Sequence, residues 1–211
     1  MRLIIFGPQG AGKGTQAERI SEKYNVPVIA TGDIFRWAIS EGSPLGDRAE
    51  QFVEAGKLVP DDVTIGVMRE RLGAADAMDG FVLDGFPRNL QQAKALEEIL
   101  TERGVELDAA IVIEAPEEVS VRRLLGRRVC SSCGRNYHVD VPPKEDWKCD
   151  ACGGDVVPRN DDNDEAIKER LRLYHEQTEP LREHYEQQGV LRVIDGVGSP
   201  DKVFERIAAV L

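Results

Sequence analysis

Five short apolar runs recur along the chain, at Leu3–Phe6, Val28–Ala30, Phe81–Leu83, Ala110–Ile113 and Leu191–Ile194. The first four are apolar at successive positions, which is the pattern of a strand buried on both faces, and the fifth is interrupted by Arg192. Between the runs the period lengthens to that of a helix. Residues 13–24 place Ala17, Ile20 and Tyr24 on one face, and residues 89–101 do so with Leu90, Ala93, Leu96 and Leu100. Residues 164–187 repeat the pattern with Ile167, Leu171 and Tyr174. Strands alternating with helices predict an α/β fold: a five-stranded parallel sheet covered by helices on both faces, in three layers.

Two stretches break the rhythm. Residues 31–60 hold helical segments with no strand; Pro44 suits a first helical turn, and Pro60-Asp61 opens another helix. Residues 127–163 have little periodicity and contain Pro142-Pro143, Gly153-Gly154 and all the cysteines. Both read as insertions. The expected division is a core of 1–30, 61–126 and 164–211, a helical insertion at 31–60 and a second insertion at 127–163. The 211 residues suit one compact unit. A chain of that length buries roughly 70% of its unfolded surface, so its core needs no cross-links. No apolar run approaches the ~20 residues of a membrane span. The run at Leu3–Phe6 is too short for a signal peptide. A cytoplasmic chain with no membrane partner is expected.

Charge narrows the classes further. With 27 Lys and Arg against 38 Asp and Glu, the net charge is −11. Nucleic-acid binders show a basic excess or stripe, so none is expected as a partner. Small phosphate compounds remain, since they need only a few well-placed cations.

The first strand runs into Gly7-Pro8-Gln9-Gly10-Ala11-Gly12-Lys13-Gly14-Thr15, and a helix follows. Glycines let such a loop aim its N–H groups inward, and the helix adds its positive end. Lys13 then reaches the β- and γ-phosphates of a nucleotide. The loop departs from the general G-x-x-x-x-G-K-[ST] pattern, because Gly14 follows the lysine and the hydroxyl comes at Thr15. By itself it indicates a nucleotide and does not separate kinases from GTPases.

The spacing Cys130-x₂-Cys133-x₁₅-Cys149-x₂-Cys152 falls within the zinc-ribbon range. Four thiolates favour Zn²⁺ in a closed, structural site, with Gly134 and Gly153 at the tight turns. Disulfides, free thiols and iron are the alternatives. His138 lies between the pairs as a bystander, and His175 and His184 read as surface residues of a polar helix.

The run Gly7–Thr15 followed by Gln16-Ala17 resembles the phosphate loop of adenylate kinases, including its departure at Gly14. Three further motifs are similar to that family in order: Thr31-Gly32-Asp33 with Arg36; Gly56-Lys57-Leu58-Val59-Pro60-Asp61; and Asp84-Gly85-Phe86-Pro87-Arg88 with Gln92. Arg123, Arg127, Arg159-Asn160-Asp161-Asp162 and Arg170 resemble the arginines and their surroundings at the transferring phosphate. Ala30 and Trp37 depart from the pattern. The resemblance implies transfer of the γ-phosphoryl group of MgATP to AMP, by a monomer that handles ATP, AMP and ADP. It implies an ATP site of Gly10, Ala11, Gly12, Lys13, Gly14, Thr15, Arg123, Arg127 and Tyr137. It implies an AMP site of Thr31, Gly32, Arg36, Lys57, Leu58, Val59, Gly85, Phe86, Arg88, Gln92, Arg159 and Arg170, with Gln92 reading the adenine. The expected catalytic set is Lys13, Asp84, Arg88, Arg123, Arg159 and Arg170, with Asp84 holding a water on Mg²⁺ and zinc in the second insertion.

The residue types suit that chemistry. Two polyphosphates that repel one another must meet in line, and arginine's planar fork neutralises phosphate oxygens two at a time. Arg123 and Arg127, four apart, are expected to share one helix face, with Val121, Leu124 and Leu125 turned to the core. Asp161 and Asp162 read either as partners that orient the arginines or as a helix cap or solvated turn. Thr31 or Asp33 reads as a helix cap, a role compatible with binding; Arg88 reads as a phosphate ligand or a surface ion pair. A kinase for UMP, CMP or GMP, a nucleic-acid-associated ATPase and a metal module with a lapsed site are the competing functions.

Overall fold

A computed structural model describes residues 1–159 and 162–211 of the chain. Its strands are β1 (Arg2–Phe6), β2 (Val28–Ala30), β3 (Phe81–Asp84), β4 (Ala109–Glu114), β5 (Arg127–Cys130), β6 (Asn136–His138), β7 (Val156–Pro158) and β8 (Leu191–Asp195). Its α-helices are α1 (Lys13–Tyr24), α2 (Thr31–Ser40), α3 (Pro44–Glu54), α4 (Asp61–Leu72), α5 (Leu90–Glu102), α6 (Glu117–Leu125), α7 (Asp164–Leu173), α8 (Leu181–Gln187) and α9 (Pro200–Ala208).

The five apolar runs form one parallel sheet in the order β2-β3-β1-β4-β8. Successive side chains of a strand point to opposite faces. Ile4, Phe6, Phe81, Leu83, Ala110 and Val112 therefore pack on one side, with Met68 and Leu72 of α4, Leu96 and Leu100 of α5, and Leu181 and Tyr185 of α8. Leu3, Ile5, Val82, Ile111 and Ile113 pack on the other, with Ala17 and Ile20 of α1 and Val203 and Ile207 of α9. This is the expected three-layer arrangement. None of the described helices is long and apolar enough to cross a membrane.

Residues 31–60 carry α2 and α3 around a small apolar cluster of their own, in which Phe35, Ala49 and Val59 meet Val63 of α4. Ser43 caps α3 by accepting from the Gly46 N–H at 3.1 Å, and Pro44 occupies its first turn as expected. Thr31 and Asp33 are not caps. Ala30 precedes α2, Thr31 is buried and donates to the Gly85 carbonyl at 2.8 Å, and Asp33 pairs with Arg36. Within residues 127–163, β6, β5 and β7 form an antiparallel sheet. The two tryptophans lie in these two segments: Trp37 is exposed on α2, and Trp147 is partly exposed beside the cysteines with φ 51°.

Two expected helices are interrupted. The helix holding Arg123 stops at Gly126, so Arg127 begins β5 and the two arginines belong to different elements. Ser120 and Leu124 form the buried face of α6, while Leu125, expected in the core, is 56% exposed. The expected 164–187 helix divides into α7, a π-helical turn at Tyr174–Thr178, and α8. Pro180 has no N–H to give to the Glu176 carbonyl and its ring crowds that position. The ladder widens, and the Glu179 N–H bonds back five residues to the Tyr174 carbonyl at 2.8 Å. His175 is on the surface as expected, but His184 is only 20% exposed and bonds Glu97 at 2.6 Å.

Candidate active site

The loop between β1 and α1 lies at the carboxyl edge of the sheet, where parallel sheets bind ligands. Gly10 has φ 84°, and a Cβ there would run into the Ser120 carbonyl of α6. Only glycine lets the loop lie that close to the helix. Lys13 folds back over the loop and donates to the Gly7 and Pro8 carbonyls at 3.0 and 2.9 Å. Arg123 clasps the loop from α6, donating to Ala11 O at 3.1 Å and to Gly196 O, beyond β8, at 3.0 Å.

Asp84 ends β3 beside the loop, its Oδ2 3.5 Å from where a Cβ on Gly14 would stand. Burial pushes its carboxyl above the usual range, against the pull of Lys13 and Arg88. Burial likewise lowers the Lys13 ammonium to about 8 and the Arg88 guanidinium to about 10, and for Arg88 the nearby Arg170, Arg36 and Arg159 add to it. Cations this desolvated and this close to one another are stabilised by anions such as phosphate.

A cleft opens with about 540 Å³ of atom-free space, part of it open to solvent. Arg36 of α2, Lys57 after α3, Arg88 after β3, Arg159 after β7 and Arg170 of α7 all line it. Thr31, Gly32, Leu58, Val59, Gly85 and Gln92, also expected there, line it too. Phe86, expected with them, is wholly buried in the core beneath.

Arg88 is fixed at several points. Its Nε donates to Gly85 O at 2.8 Å, its N–H to Gln92 Oε1 at 2.8 Å, and its carbonyl accepts from Thr178 Oγ1 at 2.7 Å. The π-helical turn buries Thr178, whose hydroxyl makes that bond. Asp162 bridges Arg127 of β5 and Arg170 of α7: Arg127 donates to it twice, at 2.6 and 2.5 Å, and Arg170 once, at 3.1 Å. It therefore orients arginines. The cap of α7 is Asn163, which accepts from the Ala166 N–H. Asn160 and Asp161 lie outside the described residues.

Several lining residues carried no sequence signal. Gln9 sits in a loop position open to any residue, Phe35 and Val53 read as ordinary helix residues, and Thr64 lies on α4 with its hydroxyl on Val59 O. Tyr137, expected at ATP, turns its hydroxyl to the cysteines; it donates to Cys149 Sγ at 3.4 Å and accepts from the Asp150 N–H at 2.8 Å. Its neighbour Asn136 faces the phosphate loop, with Nδ2 4.0 Å from where a Cβ on Gly14 would stand.

The four cysteine sulfurs lie within 4.8 Å of one another, and none forms a disulfide. Cys130–Cys152 and Cys133–Cys149 are each 3.5 Å apart. Tetrahedral Zn²⁺ with sulfur at about 2.3 Å separates its ligands by about 3.8 Å, so the donor set fits that ion. Gly134 and Gly153 both have φ 73°, as the turns after each pair require. His138 is elsewhere, its ring against Gly126.

The sequence pattern of the family described as adenylate kinase matches residues 5–190. An adenylate kinase of Clostridium perfringens (strain SM101 / Type A) is 50% identical over 212 residues, covering 100% of this chain and 98% of its own. Another, from Syntrophobacter fumaroxidans, is also 50% identical and covers 100% of both chains. A third, from Archaeoglobus fulgidus, is 49% identical and covers 100% of this chain and 98% of its own. Matched along its length by relatives half-identical to it, and carrying the phosphate loop and its arginines at one cleft, the chain belongs to the adenylate kinase family.

Proposed function

We propose that the protein transfers the γ-phosphoryl group of MgATP to AMP, reversibly, giving two ADP. The observation that carries this reading is the gathering of Arg36, Lys57, Arg88, Arg159 and Arg170 around one cleft, with Arg88 in electrostatic reach of Lys13. Two anionic phosphates brought together need such a surround.

In this reading ATP lies along residues 10–15 with Arg123, Arg127 and Tyr137, and AMP occupies the cleft. An oxygen of the AMP phosphate bonds to the γ-phosphorus as the bond from that phosphorus to the β–γ bridging oxygen breaks. The attacking oxygen is already anionic, so no general base is needed. Arg36 and Arg88 hold the AMP phosphate, and Thr31, Gly32, Lys57, Leu58, Val59 and Gly85 shape its site, with Phe86 supporting it from the core. Lys13, Arg123, Arg159 and Arg170 neutralise the transferring group. Magnesium bound with ATP would screen the β- and γ-phosphates, with Asp84 holding its water shell. The position of Asp84 at the loop and its desolvated carboxyl suit a cation there.

The segments 31–60 and 127–163 act as insertions on the core and close over the substrates, which keeps water from the γ-phosphate. Zinc held by Cys130, Cys133, Cys149 and Cys152 sets the fold of the second insertion, and with no open position it takes no part in the chemistry. The protein works in the cytoplasm as a monomer, without nucleic acid.

The test is ADP formation from MgATP with AMP, UMP, CMP and GMP offered separately. Strong preference for AMP, with the reverse reaction from two ADP, is expected. Preference for another monophosphate would overturn the assignment of the base site. Micromolar, salt-sensitive binding of single-stranded DNA at ~0.15 M salt would favour a nucleic-acid ATPase instead.

A further inference from the structure

Gln92, which lines the cleft, ends in an amide with two unlike ends. Turning a glutamine amide by 180° exchanges its donor and its acceptor. A freely turning amide would pair with a 6-aminopurine edge, where the N1 acceptor lies beside the amino donor. It would pair equally with a 6-oxopurine edge, where the N1–H donor lies beside the O6 acceptor.

Gln92 is not free to turn. On one side the backbone N–H of Arg88, a pure donor, gives to Oε1 at 2.8 Å. On the other the carboxylate of Asp61, a pure acceptor, takes a proton from Nε2 at 2.7 Å. Reversal would set NH₂ against N–H and oxygen against carboxylate, losing both bonds in a side chain that is 1% exposed. Asp61 is itself fixed. Asn89 Nδ2 donates to both its oxygens, at 3.0 and 3.1 Å, and Asn89 Oδ1 accepts from the Gln92 N–H at 2.9 Å. Asp61 also lies in the first turn of α4, where the helix dipole favours a negative charge.

We propose that Asp61 is a specificity-determining positioning residue: by locking the Gln92 amide in one orientation, it makes the cleft select a 6-aminopurine nucleoside monophosphate over its 6-oxo counterpart. The proposal rests on the cleft being the AMP site. Gln92 keeps one N–H and one oxygen lone pair for the base, always in the same places. Asp61 acts through Gln92 and leaves the phosphate groups untouched, so its effect falls on the choice of base.

The experiment compares kcat/KM for AMP and for inosine monophosphate in the unaltered protein, Asp61→Asn and Asp62→Asn, with KM for ATP measured alongside. Asp61→Asn keeps the shape but lets either end of its own amide face Gln92. The AMP-to-inosine ratio should fall by roughly tenfold or more, the range of one hydrogen bond to a charged group. KM for ATP should stay within about twofold, since no ATP contact changes. Asp62→Asn removes the same charge from the same helical turn, at an exposed residue 3.7 Å from Arg48, and should leave the ratio unchanged. If Asp61→Asn lowers both activities equally, Asp61 is merely structural and the proposal fails. An unaltered protein with no preference for AMP would overturn the AMP-site reading, before any variant is made. A measurement needing no variant is solvent exchange at the Gln92 side-chain amide by NMR: slow exchange of the proton given to Asp61 is expected, and exchange as fast as that of an exposed glutamine would refute the lock.

Discussion

Replacing Asp162 by asparagine changes one atom type and no volume, yet it alters an enclosed ionic contact of the site. The carboxylate is 4% exposed and accepts from Arg127, 19% exposed, and Arg170, 10% exposed. In the variant an NH₂ group faces a guanidinium N–H, and the neutral side chain no longer offsets either cation. Removing one partner from a buried ion pair costs about 3–5 kcal/mol. Arg127 retains some solvent, which places this case near the lower end, at about 3 kcal/mol. For a chain of this length each kcal/mol moves the melting temperature by about 2–4 °C, so a fall of about 6–12 °C is expected. Scanning calorimetry reads it directly. The control is Asp201→Asn, which breaks an exposed pair with Arg19, its carboxylate 75% exposed. Such pairs contribute about 0–1 kcal/mol, and its melt should move by less than about 4 °C. An Asp162→Asn protein melting no lower than the Asp201→Asn control would refute the reasoning, because the enclosed carboxylate would then contribute no more than a solvated one.

Arg88→Lys should lose activity as pH rises. The burial that takes Arg88 to about 10 would take a lysine there to about 8. Above that pH the lysine is neutral and the phosphate loses its cation, so kcat/KM for AMP should fall more steeply above about pH 8 in the variant than in the parent, where Lys13 alone loses its proton near 8. A variant profile no steeper than the parent's would argue against desolvation at this position. Gly126→Ala should destabilise by about 1–3 kcal/mol, since the added Cβ strikes the His138 ring. His138→Ala in the same chain should recover much of the loss in a double-mutant melt; strictly additive losses would mean that the ring is not the obstacle. Cys149→Ser, assayed for bound zinc and by limited proteolysis, should lose metal and become cleavable within 127–163 while the core stays resistant. Unchanged metal content would show that the four sulfurs do not act as one site.

The sheet was legible because its central strands β1, β3 and β4 are buried on both faces, and no other arrangement accommodates Leu3–Phe6 or Ala110–Ile113 so simply. The phosphate loop and the cysteine knot were legible because their chemistry demands fixed spacings. Helix ends were less so. The i, i+4 relation of Arg123 and Arg127 suggested one face, and nothing short of tertiary structure marks Gly126 as the end of α6 rather than an interior glycine. Pro180 did carry a signal against a continuous 164–187 helix, which the periodicity of Ile167, Leu171 and Tyr174 outweighed. Polar support was the least legible. The bonds that hold Arg88 come from Gln92, four residues on, and Thr178, ninety residues on. A distant hydroxyl with one partner leaves no pattern in a sequence.

The positions of the two tryptophans have a practical consequence. Trp37 lies on α2 and Trp147 beside the cysteines, so none of the chain's indoles belongs to the central sheet or the helices that cover it. Tryptophan fluorescence, excited selectively, is therefore a local probe of the two segments flanking the site and is blind to the body of the protein. Emission and far-ultraviolet circular dichroism recorded on one heated sample would report different parts of the molecule. Where the two curves separate, the gap measures how far the outer segments loosen before the sheet gives way. A single Trp37→Phe replacement would leave Trp147 as the sole indole, giving the four-cysteine segment an optical signal of its own.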